Sequence, residues 1–168
     1  MFPIKNYKYK IPTENDPGGF GFVRKHDIHT GIDLYCDKDE VIYSISEGVV
    51  LDIIKFTGFE ESPWWNDTWA VLVYHNDIGT ILYGEIYKPY HIKIGQAISE
   101  GDIIGRVSTV LKVDKGKNPP NMLHLELYFG EYKDEPVIWN LNEVKPERLE
   151  NPKNILEKLL HLQNEYSK

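Results

Sequence analysis

Hydrophobic and polar positions alternate in short runs along most of the chain, and glycine or proline breaks each run. Alternation or enrichment in β-branched residues predicts strands over residues 31–35, 41–44, 48–54, 70–74, 80–87, 103–108 and 123–129. Turn residues punctuate them at 37–40, 76–79, 95, 100–102 and 118–121. No helical period interrupts these runs, so the pattern predicts an all-β, antiparallel domain over residues 1–150.

The final stretch changes period. Asn151 and Pro152 offer an N-cap followed by a proline in the first helical position. Ile155, Leu156, Leu159, Leu160 and Leu162 then fall largely on one stripe. Residues 152 to about 165 are expected to form an amphipathic helix, and residues 151–168 to pack as a C-terminal unit on the β domain. One long insert, FTGFEESPWWNDT at 56–68, separates two strands, and loops of that length often carry function. Trp64, Trp65 and Trp69 either wall a substrate groove there or fold back to bury apolar area.

Composition narrows the functional classes. The 168 residues carry 41% hydrophobic and 27% charged side chains, which suits one globular domain and not a disordered chain. A net charge of −7 without a basic block argues against nucleic acid as a partner. The single cysteine, Cys36, excludes an intramolecular disulfide framework and a cysteine-rich zinc site. No apolar run is long enough to span a membrane, and the opening MFPIKNYKYKIP does not read as a signal peptide. As written, the chain is expected in the cytoplasm unless it is released or trimmed, and its oligomeric state is not legible.

Strand parity selects the candidate chemistry. In the last predicted strand Leu123, Leu125 and Leu127 share one face, whereas Met122, His124, Glu126 and Tyr128 share the other. The leucines are expected to enter the core and His124 with Glu126 to face solvent or a cleft. His29 and Asp33 stand in H-T-G-I-D, where a straight strand would hold them about 13 Å apart. A turn at Gly31 before the strand would bring both to one point. His29, Asp33 and His124 would then offer three of the roughly four nitrogen and oxygen ligands that a zinc ion takes.

Together these segments carry a resemblance. HTGIDL at 29–34, VIYS at 41–44, EGVV at 47–50, LYGEI at 82–86, EGDIIG at 100–105 and LHLE at 123–126 follow one another in the order found in the lysostaphin-type zinc metallopeptidases. The likeness covers roughly residues 20–129. It implies an antiparallel barrel-sandwich hybrid with a duplicated hybrid motif, one zinc or other divalent ion held by His29, Asp33 and His124, and hydrolysis of peptide bonds in peptidoglycan-like substrates. It also implies a groove, for which Trp64, Trp65, Trp69, Tyr83, Met122 and Glu126 are the candidate lining.

Two positions depart from the family pattern. The family's final motif is usually H-x-H, and Met122 stands where its first histidine would be. The histidine of the family's L-Y-x-H strand is here Glu85. A thioether exchanges no proton, so Glu85 is the remaining candidate for a base, with His26 and His91 as off-pattern alternatives. His75 is expected to stabilise a turn or to be solvated. Three readings follow: a zinc peptidase or amidase with rearranged acid–base groups, a catalytically impaired metal-binding module that recognises peptide or glycan, and a biotin- or lipoyl-carrier-like barrel. The last needs an attachment lysine at a hairpin tip, and residues 44–48 contain none.

Overall fold

The structure is a computed structural model, and it describes residues 1–113, 116 and 121–166. The 118–121 turn expected from the sequence therefore lies outside the described residues except for Asn121. The same holds for much of the 111–121 loop.

Eleven strands and one helix are found among the described residues. In order they are β1 (Asp27–Ile28), β2 (Ile32–Cys36), β3 (Val41–Tyr43), β4 (Gly48–Lys55), β5 (Trp69–His75), β6 (Gly79–Ile86), β7 (Ala97–Ile98), β8 (Ile103–Arg106), β9 (Asn121–Tyr128), β10 (Trp139–Asn140), β11 (Leu149–Glu150) and α1 (Lys153–Tyr166). The principal sheet runs β11-β9-β6-β5-β4-β7, with β2 beside β11 along the outer edge of β9. All its pairings are antiparallel, and the order ends at β11 and β7 without closing. Two ribbons, β3–β8 and β1–β10, complete the architecture.

The alternation read from the sequence sets which face is packed. Ile32, Leu34, Leu72, Ile81, Leu123, Leu125 and Ile104 are wholly buried in one core. The helix begins as expected: the Lys153 N–H donates to Asn151 Oδ1 at 3.0 Å, satisfying a first-turn donor, and Pro152 needs no partner. Leu156 is fully buried, and Ile155, Leu159 and Leu160 pack around it. Leu162 departs from the predicted stripe, since it is exposed at the outer edge of the helix.

Three placements correct the sequence reading. The face of β9 opposite the leucines is not open: His124, Glu126 and Tyr128 are all buried. Residues beyond β9 fold back over that face, with Tyr132 stacked on Tyr128 at a centroid distance of 4.0 Å and the Val137 N–H donating to the Tyr128 hydroxyl at 3.2 Å. Tyr83 is wholly buried on the core side, where its hydroxyl accepts the Ile45 N–H at 3.2 Å, so it does not line a groove. His75 is also buried rather than solvated. Its Nδ1–H donates to the Glu47 carbonyl at 2.8 Å, and its Nε2 lies 3.1 Å from the Tyr83 hydroxyl, a contact in which the hydroxyl donates.

Candidate metal centre

The ligand candidates converge because β2 and β9 pair in one particular register. Asp33 lies opposite His124 across β2 and β9, and on the other side of β9 Gly84 lies opposite the same histidine. His29 enters from the segment before β2. There Gly31 passes so close to β9 that a Cβ on it would come within 2.6 Å of the Leu125 carbonyl and 2.8 Å of the His124 ring. A glycine is required by this close approach. The turn at Gly31 puts His29 Nε2 3.3 Å from Asp33 Oδ1.

His29 Nε2, Asp33 Oδ1 and His124 Nδ1 form a triangle with edges of 3.2, 2.8 and 3.3 Å. Donors about 2.1 Å from a tetrahedral zinc ion would lie about 3.4 Å apart, so the donor set fits that ion in kind and nearly in spacing. These are also the three residues that form a possible metal-holding group among the described residues. Each ligand also has a hydrogen-bond partner outside the triangle. His29 Nδ1–H donates to the Gly19 carbonyl at 3.0 Å, His124 Nε2–H donates to Glu126 Oε1 at 3.1 Å, and Arg24 Nη2 donates to Asp33 Oδ2 at 3.3 Å. Such partners fix which ring nitrogen faces the metal. Glu126 is itself held by the Thr30 and Tyr128 hydroxyls, so it stands behind His124 rather than in a groove.

Burial and charge act against each other here. Burial disfavours a carboxylate at Asp33, yet hydrogen bonds from His124 and His29 outweigh it and hold the carboxyl well below its usual range. Burial likewise opposes a cationic His124, but Asp33 and Glu126 overcome it, and His124 is pushed up to about 10. His29 is shifted down, chiefly by burial. Without metal, a proton on His124 Nδ1 is thus favoured, shared along the edge to Asp33 Oδ1.

Glu85 is re-aimed by a local irregularity, next to the Gly84 that pairs with His124. Trp69 pairs with Ile86 and Val71 with Tyr83, so two residues of β6, Gly84 and Glu85, stand against Ala70 alone. Glu85 takes a φ of 62°, the left-handed conformation that such bulges use to re-aim a side chain. Its carboxylate accepts a hydrogen bond from the Thr57 hydroxyl at 3.1 Å, and that hydroxyl lies 2.7 Å from Thr68 Oγ1. Burial raises the proton affinity of Glu85, while the His124 charge and the Thr68 and Thr57 hydroxyls oppose the rise.

The 56–68 insert is therefore closed at its base, with the Phe56 N–H donating to the Thr68 carbonyl at 2.9 Å and the Thr68 N–H to Thr57 O at 2.8 Å. Phe56 lies 5.3 Å from the His124 ring and against Gly84, where a Cβ would approach Phe56 to 2.8 Å. Trp64 is exposed beside a cavity of about 270 Å³ with Leu111, Lys112 and Val113. Trp65 bridges to Leu111, and Trp69 is half-buried under the Lys88 ammonium. Met122 is half-buried opposite Tyr35. His26 and His91 are exposed, the latter 3.0 Å from the Ile103 carbonyl, so neither joins the centre. Sequence reasoning missed Arg24, Phe56, Thr57 and Thr68. The pair of threonines flanking the insert was the one legible hint.

A family model described as Peptidase family M23 matches residues 27–137. No curated protein matches the sequence at a significant level. Among solved structures, the catalytic domain of the antimicrobial peptidase lysostaphin from Staphylococcus simulans is similar at a TM-score of 0.56 and 16% identity, over 89% of this chain and 92% of that one. LytU is similar at 0.54 and 19% identity, over 84% and 81% of the two chains. A zinc-containing peptidase from Vibrio cholerae is similar at 0.51 and 21% identity, over 74% of this chain. The chain spans 35% of that Vibrio protein and 44% of lysostaphin in its solution structure. At these identities the likeness is one of fold.

Proposed function

The chain belongs to peptidase family M23, a family of zinc metallopeptidases, and on that premise we propose that it hydrolyses amide bonds in peptidoglycan peptides. In this reading His29, Asp33 and His124 hold one zinc ion and Glu85 exchanges the proton. The observation that carries it is the buried triangle of three donor atoms, each oriented by its own hydrogen-bond partner. When bound there, zinc supplies Lewis acidity, polarising a carbonyl and acidifying water.

The chain's own residues supply the rest. Glu126 and Gly19 keep the two imidazoles turned to the metal position. Glu85, ionised, accepts a proton from the attacking water and passes it to the departing amine. A carboxyl with proton affinity raised by burial is better matched to both halves of that transfer than a solvated one. Phe56 covers one side of His124 and limits water there. Trp64, Trp65 and Met122 are candidate groove contacts in this reading.

A second reading keeps the metal and drops the turnover. It is favoured by Met122, which offers no proton where the resemblance implies a histidine. One experiment separates the two. Purified protein loaded with zinc is incubated with peptidoglycan and with a glycine-rich peptide, and new amino groups are counted. Release that vanishes in Asp33→Ala supports the peptidase. Zinc at one equivalent with binding but no release supports the module, and absence of zinc at the site sinks both.

A further inference from the structure

Hydrolysis of an amide develops negative charge on the carbonyl oxygen, and an enzyme gains most from a fixed donor aimed at that charge. Met122 cannot supply one, and Tyr83 is committed elsewhere in the core. Arg24 borders the centre through its hydrogen bond to Asp33 and has donors to spare. It sits in the tight hairpin that leads into His29: the His29 N–H donates to Phe22 O at 3.0 Å, the Arg24 N–H to Asp27 O at 2.8 Å, and Val23 bridges to Ile28. The same hairpin therefore places both the first ligand candidate and the arginine.

The guanidinium donates through Nη2 to Asp33 Oδ2 at 3.3 Å, while the other oxygen of that carboxylate faces His29 and His124. One carboxylate thus separates Arg24 from the metal position. The side chain remains 40% exposed, and among the described residues this is the one hydrogen bond its five N–H donors make. It is a cation paired with Asp33 in a chain of net charge −7. An arginine engaged by one oxygen keeps a planar face of donors for a second anion.

We propose that Arg24 is a catalytic residue, its free guanidinium N–H groups binding the oxyanion that develops beside the metal position. This rests on the zinc-peptidase reading, but its test does not need turnover. Inorganic phosphate, a tetrahedral oxyanion, serves as the probe. The zinc-loaded chain and its R24Q and R24K variants are titrated with phosphate by calorimetry, with zinc content measured on the same samples.

The unsubstituted protein is expected to bind phosphate, R24Q to bind about tenfold to a hundredfold more weakly, and R24K to fall between them, all with equal zinc. With a cleavable peptide, R24Q is expected to lower kcat by about 10²–10³ while KM changes little. Equal phosphate affinity in all three proteins overturns the proposal. So does absence of phosphate binding by the zinc-loaded unsubstituted chain. Zinc lost from R24Q in step with phosphate also overturns it, because Arg24 would then only position Asp33. If no peptide is cleaved while R24Q still loses phosphate with zinc intact, the peptidase reading fails and the catalytic role of Arg24 is overturned with it, leaving only an anion-binding arginine.

Discussion

Asp33 and His124 share one register position on neighbouring strands, and across it His124 Nδ1–H donates to Asp33 Oδ1 at 2.8 Å. A zinc ion held by these residues would take the place of that proton. Strand pairing thus builds most of the ligand set before any ion arrives, and His29 adds the third donor from the turn at Gly31.

Metal must therefore displace a proton. Asp33 and Glu126 push His124 up to about 10, which favours the protonated ring at neutral pH in the metal-free chain. Zinc binding is expected to release a proton, and affinity to rise about tenfold per pH unit for each proton released, from pH 6 to pH 8. Calorimetry in buffers of different ionisation enthalpy counts the protons directly. A count of zero, with zinc bound, would contradict the exchange. At a hundred times its dissociation constant, zinc should also stabilise the fold by about 2.7 kcal/mol, a gain that His124→Ala removes.

In the peptidase reading, the proton affinity of Glu85 is expected to set the acid side of the pH profile. As a base it must be ionised, so turnover is expected to rise with pH through a value above the ordinary 4.5. Thr57→Val removes a hydrogen bond that favours the charged form, which moves this limb to still higher pH. Thr57→Ser should restore it. Glu85→Gln should abolish release of amino groups and leave zinc in place. A Glu85→Gln protein with undiminished rate would make Glu85 a structural group of the insert.

The sequence exposed what periodicity can carry. Leu123 and Leu125, with the half-buried Leu127, marked the core face of β9, and the H-x-x-x-D spacing with Gly31 anticipated the convergence at Asp33. Glu85 and Tyr83 show where parity alone fails. Two residues apart, they should share a face, but the bulge opposite Ala70 and the left-handed φ of Glu85 turn one into the core and the other to the Thr57 hydroxyl. No single-strand pattern reports a bulge, because it arises from pairing with a partner. Arg24 was hidden for a related reason: its hairpin rests on a two-residue strand, too short to alternate. The burial of Glu126 and Tyr128 depended on residues 132–137 folding back, a tertiary event with no local signature.

Met122 offers a gain-of-function test. It lies two residues before His124 on the same face of β9, and Tyr35 is its cross-strand partner. Met122→His places an imidazole that can donate to a developing oxyanion, and kcat is expected to rise by about 10–10² with zinc content unchanged. Met122→Leu, of similar volume, should leave the rate as it was. An equal rise in both would trace the effect to packing instead of proton chemistry.

His75 gives a prediction remote from the centre. Its ring is buried between the Glu47 carbonyl and the Tyr83 hydroxyl, and that hydroxyl donates to Nε2 and holds the ring neutral. Burial lowers its proton affinity below the ordinary value of 6.5, against opposing hydrogen bonds to the Glu47 and Ser46 backbone. Between the folded value and 6.5 the unfolded chain binds a proton that the folded chain refuses, so stability is lost as pH falls through that window. Above 6.5 the contribution is complete. Urea unfolding of the parent and His75→Gln at several pH values between 8 and 5 isolates it, since the other titrating groups are common to both. The variant is expected to be less stable by about 1–3 kcal/mol at pH 8, from the lost buried hydrogen bonds, and the gap should narrow toward pH 5. Parallel curves across the whole range would show that His75 carries its proton equally well in both states.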